Sequence, residues 1–151
     1  MHPNKAPFIG ILTKLDAASD KVPSGARGHK VILTKKSAEE SLSTLIGMGI
    51  SVSDDLQKHN ASSKIGIIDA AEIQGNEIVV SGYIFCRDSP DAILAIRANA
   101  EDLGMSYEIA DARVEDMRTD VWSLSRITFT GAAILLRDKA AYKTTDFILV
   151  D

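Results

Sequence analysis

The chain has 151 residues, 45% hydrophobic and 25% charged, with a net charge of -4, which suits one globular domain over residues 1–151 with an ordinary core and excludes a disordered or collagen-like chain. The lone Cys86 cannot close an internal disulfide, so the framework of a small secreted protein is excluded and a reducing compartment is expected. No apolar run reaches the length of a signal peptide or membrane span, and Lys35 and Lys36 are balanced by Glu39 and Glu40, so neither membrane insertion nor a basic stripe for nucleic acid is expected.

Taken in chain order, Phe8 to Leu15 is rich in β-branched residues and reads as a strand, followed by a long Asp, Ser, Pro and Gly loop over Asp16 to Gly28. A short strand at Val31 to Thr34 comes next. Ser37 and Glu40 then have the spacing of a capping box, and Leu42, Leu45 and Ile46 recur at helical intervals up to Gly47 and Gly49. Ile65 to Ile73, the turn Gln74-Gly75-Asn76 and Glu77 to Phe85 form a hairpin. Ser89 as N-cap and Pro90 at the first helical position open a second helix, with Ile93, Ile96, Ala100 and Leu103 as its stripe and Gly104 as its stop.

Beyond it, Met105, Tyr107 and Ile109 alternate with Ser106, Glu108 and Ala110, so Ser106 and Glu108 share the face opposite the apolar set. Met117 to Asp120 is a turn, Val121 to Leu136 one long strand with a bulge at Gly131, and Asp146 to Val150 a last strand. The fold class is α+β: a mostly antiparallel barrel or sheet of six to seven strands with two flanking helices.

Motifs for chemistry are sparse. The three histidines and one cysteine have no metal-ligand spacing, and no glycine-rich nucleotide loop is present, so neither a metal nor a cofactor is expected. Asp54 with Asp55, and Glu115 with Asp116, read as solvated loop charges. Gly104-Met105-Ser106-Tyr107-Glu108 lacks the second glycine of a nucleophile elbow. By pattern alone Ser106 is an ordinary strand hydroxyl and His59 a surface loop histidine. Cys86, at a strand end, reads as a small core residue.

The order of segments adds more. His59-Asn60, then Lys64-Ile65-Gly66-Ile67-Ile68, Ala71-Glu72-Ile73, Gly75, Val80-Ser81-Gly82-Tyr83, a helix, Leu103-Gly104-Met105-Ser106-Tyr107-Glu108, a turn, and Thr130-Gly131-Ala132-Ala133-Ile134-Leu135 together resemble the prohead (capsid maturation) serine proteases of tailed bacteriophages. Their fold resembles that of herpesvirus assembly protease. The resemblance covers roughly residues 8 to 150. It implies His59 as general base and Ser106 as nucleophile of an endopeptidase that cleaves scaffolding and major capsid proteins, and itself, inside the assembling prohead in the host bacterial cytoplasm. A homodimer is compatible with it, and so is fusion to a scaffolding segment beyond residues 1–151, since phage proteases are often made that way.

Many relatives carry an acidic residue on the later strand to orient the histidine, where this sequence has Gly131 or nearby Thr130. Glu108 is a weak candidate for that task and is expected instead to be a solvated strand glutamate. A dyad without an orienter should be slow, which suffices where enzyme and substrates are confined together. The missing acid leaves open a second reading, a catalytically silent barrel of the same ancestry that binds scaffold. The oxyanion would be held by backbone N–H groups around Arg137, whose side chain is expected to pair with Asp138, and the substrate would bind as an added strand. Because a histidine base works only when neutral, cleavage is expected to be lost towards acid pH.

Overall fold

A computed structural model describes residues 1–150. Its elements are β1 (Lys5–Lys14), β2 (Lys30–Leu33), α1 (Lys35–Ser41), β3 (Gly49–Val52), β4 (Lys64–Gln74), β5 (Glu77–Phe85), α2 (Pro90–Ala98), β6 (Leu103–Val114), β7 (Val121–Leu136) and β8 (Asp146–Leu149). All eight strands form one curled, mixed sheet in the order β2-β7-β3-β4-β5-β1-β8, with β6 also paired to β7. The β4–β5 hairpin turns at Gly75, whose φ of +59° suits a residue without a Cβ.

Most pairings are antiparallel, as expected, but β2 and β3 both run parallel to β7. The eighth strand is β3, which the sequence reading passed over. Four residues that begin at Gly49, two after Gly47, offer no alternation to read, because every residue of β3 is buried.

Three local expectations change. The cap of α1 is Thr34, whose hydroxyl accepts from the Ser37 amide, so Ser37 lies inside the helix and its hydroxyl donates to the Leu124 carbonyl of β7. A buried partner on the sheet outweighs the local capping-box pattern. Gly104 does not end α2. That helix stops at Ala98, a single short turn follows over Ala100–Asp102, and Leu103 and Gly104 already belong to β6. A Cβ on Gly104 would lie 2.6 Å from the Thr145 hydroxyl, so close approach explains the glycine. Cys86 is half-buried rather than a core residue, with its sulfur 3.5 Å from the Pro3 carbonyl.

The core lies inside the curl, built from Phe8, Leu12, Leu33, Leu45, Ile50, Ile68, Ile84, Met105 and Phe129 among others. Strand β7 crosses it with a slip. Ile109 pairs with Phe129 but Glu108 with Gly131, so Thr130 has no opposite residue. The expected bulge is therefore present, at Thr130 rather than at Gly131. It changes which residues face the core from Ile127 and Phe129 to Ala132 and Ile134, and it leaves Gly131 and Ala133 on the side of Ser106 and Glu108.

Candidate active site

Residues 53–63, between β3 and β4, carry His59 and are held by local hydrogen bonds. The Ser53 hydroxyl accepts from the amides of Gln57 and Lys58 and donates to the Asp55 carboxylate. Asp55 also accepts from the Gln57 amide, and the Ser53 contact, followed by that amide, holds its carboxyl below the usual range. Leu56 takes a left-handed φ of +57°. Its side chain is buried and its carbonyl accepts from the Leu136 amide of β7 at 2.7 Å, which outweighs the strain and fixes the loop over the sheet. Asn60 closes the other end by accepting from Ser62 and donating to Ser63.

Below the loop the sheet presents two rungs across β6, β7 and β3. One is Ser106, Ala133 and Ser51; the other is Glu108, Gly131 and Gly49. Apart from Glu108 all these side chains are small, and they leave room above the strands. Glu108 uses it. Its Oε2 lies 3.0 Å from Nδ1 of His59 and 3.4 Å from the Ser51 hydroxyl, and its Oε1 lies 3.6 Å from Nζ of Lys64. The Glu108 side chain is 13% exposed and that of His59 36%.

The expectation that Glu108 is a solvated strand glutamate is thus corrected. The small side chains at positions 49, 51, 131 and 133 let it lie down along the sheet, and a loop histidine closes over it. Pattern alone could not supply this, because the partner comes from a segment 49 residues away.

The contact also decides a tautomer. An ionised carboxylate only accepts hydrogen bonds, so His59 must carry its proton on Nδ1, and in the neutral ring the lone pair is then on Nε2. Ser106 stands one rung from Glu108 on the same face and is half-buried. Among the described residues its hydroxyl holds no hydrogen bond.

A solved structure of the bacteriophage T4 capsid assembly protease, gp21, is similar to this chain with a TM-score of 0.54 and 14% sequence identity, over 87% of this chain and 98% of the other. The chain has the fold of a phage capsid assembly protease. No protein-family model and no curated protein sequence matches it. The fold expected from the order of segments is therefore present, in a chain that shares little sequence with this neighbour.

The other sequence candidates are placed as follows. The Arg137 guanidinium does not pair with Asp138. It donates to the carbonyls of Thr145, Glu101 and Leu103 at 2.9, 3.1 and 2.9 Å, tying the short turn after α2, the start of β6 and the segment before β8 together. A cavity of about 430 Å³ opens beside it, lined by Asn99, Asp102, Leu136, Asp138 and Lys143. Asp116 forms an exposed pair with Arg118, which holds its carboxyl below the usual range. Among the described residues no group of three or more His, Cys, Asp or Glu side chains could hold a metal ion.

Proposed function

We propose that this protein is a serine endopeptidase of phage capsid maturation, with Ser106 as nucleophile and His59 as general base. The observation that carries the reading is the Nδ1 atom of His59 at 3.0 Å from Glu108, a residue of the strand that bears Ser106, which leaves the basic lone pair of the neutral ring on Nε2. The capsid-protease fold supports the choice of substrate class.

In the reaction, Nε2 of His59 takes the proton from the Ser106 hydroxyl as its oxygen attacks the scissile carbonyl. The same proton passes to the leaving amine as the C–N bond breaks. Water, deprotonated by His59, then clears the acyl-enzyme and frees Ser106. The substrates are the scaffolding and major capsid proteins, and the place of action is the interior of the assembling prohead. Enclosure raises the local concentration of both partners, so a modest turnover serves.

The test is co-expression with the neighbouring major capsid and scaffolding proteins, comparing wild type with Ser106→Ala and His59→Ala by mass spectrometry of the products. Trimmed products from the wild type alone support the reading. Identical products from all three chains, or none from any, would overturn it in favour of a silent scaffold-binding barrel.

A further inference from the structure

Glycine at position 131 needs a reason beyond the bulge, because its φ is not in the left-handed region. A Cβ built there would lie 2.6 Å from Oε1 of Glu108, 2.8 Å from Nζ of Lys64 and 2.9 Å from the Gly49 carbonyl. The space a side chain would fill is already taken by the Glu108 carboxylate and its lysine. Gly49, across β7, repeats the arrangement: a Cβ there would collide with the stem of Lys64, which crosses that position on its way to Glu108. On this one rung, then, Gly131 leaves the space that the Glu108 carboxylate occupies, and Gly49 leaves the space through which Lys64 reaches it.

We infer that Glu108 is the positioning residue for His59, supplied by the nucleophile's own strand rather than by β7, with Gly131 as the vacancy that admits it and Gly49 as the passage for its lysine partner. The inference rests on the protease reading for its consequence in rate, though not for its geometry. Ser51 and Lys64 complete the device. The Ser51 hydroxyl lies within reach of Oε2, the oxygen that meets His59, and the Lys64 ammonium approaches Oε1. The carboxylate is thus approached on both oxygens and kept from swinging out to water. Its partners are drawn from β3, β4 and the His59 loop, so the ring orientation of His59 is tied to the packing of the sheet. Because Glu108 touches the base and not the nucleophile, its effect on Ser106 passes through the tautomer and angle of the imidazole.

The experiment uses the full chain and two readouts. One is the rate at which a fluorophosphonate probe labels Ser106 across pH, with Ser106→Ala and His59→Ala as controls. The other is the long-range proton–nitrogen NMR spectrum of the histidine rings, which reports the tautomer of His59 without any need for activity. In wild type the neutral ring should be protonated at Nδ1. Glu108→Gln and Glu108→Ala should abolish that preference and slow labelling by on the order of 10³- to 10⁴-fold, while Glu108→Asp retains part of both. Gly131→Ala should also slow labelling, and adding it to Glu108→Ala should bring little further loss, because both act on one carboxylate.

An Nδ1 tautomer that survives Glu108→Ala would overturn the inference. So would additive losses in the double variant, since Gly131→Ala would then act by displacing β3. A wild type that fails to label at all, with the tautomer shift intact, would sink the protease reading and leave the positioning contact standing.

Discussion

Two polar centres hold the curled sheet, and they differ in what they grasp. Arg137 reaches three backbone carbonyls, none of which can titrate or rotate away from the main chain. Glu108 reaches three side chains, His59, Lys64 and Ser51, two of which are ionisable and can rotate. The first centre is a clamp, and the second can change state without unfolding anything. Charge alone does not separate them; the mobility of the partners does.

That contrast makes opposite demands on substitution. The largest effect belongs to Glu108→Gln, which should remove three to four orders of magnitude from Ser106 reactivity while moving the denaturation free energy by less than ~1 kcal/mol, because its ionisable partners His59 and Lys64 are partly exposed. A Glu108 variant that unfolds instead would make this centre a second clamp. Arg137→Ala should cost about 2 to 4 kcal/mol in a urea melt, from three charge-assisted hydrogen bonds lost at once. Arg137→Lys should recover little of it, because an ammonium cannot imitate the planar fork.

A smaller effect tests the anchoring of the long Asp16 to Gly28 loop. The Tyr142 hydroxyl donates to the Ala17 carbonyl at 2.8 Å with the Val31 carbonyl close by, and burial, with Asp20 nearby, pushes its ionisation well above the usual tyrosine range. A raised folded-state value means that this contribution is complete below the ordinary phenol range near ~10 and is lost as pH climbs through the folded value. Tyr142→Phe should therefore cost about 1 kcal/mol at neutral pH and flatten the alkaline limb of stability. An unchanged limb would assign that limb to another group.

The smallest effect is at Asp55. Its depressed carboxyl favours the charged form in the loop, so its support is present above the ordinary carboxylate range and fades as pH falls through the folded value. Asp55→Asn should loosen residues 53–57, visible as faster amide exchange there, with the rest of the sheet unaffected.

Much of this was legible in the sequence where period and turn chemistry act locally. The Gly75 hairpin, Pro90 at the start of α2, the alternation of β6 and the bulge in β7 all follow from neighbouring residues. Strand β3 was not, because burial on both faces erases the period-two signal. The role of Glu108 was hidden for a different reason. A glutamate on a strand looks solvated until the residues opposite it are known to be glycines, and Gly131 and Gly49 lie 23 residues after and 59 before it in the chain. A missing side chain is the signal, and it is readable only once register is known.

The parallel pairing of β3 with β7 has a consequence in time. Ser51 meets the Ala132 carbonyl across 81 residues of chain, and no hairpin can bring such segments together, so this closure is slow and depends on most of the domain having formed. Until it happens, β3 and the loop it carries have no fixed seat beside β6, and His59 is not delivered to Glu108. On the proposed mechanism the emergence of the site is therefore a clock: a newly made or half-folded chain should be inert, and reactivity at Ser106 should report the moment at which β3 seats against β7.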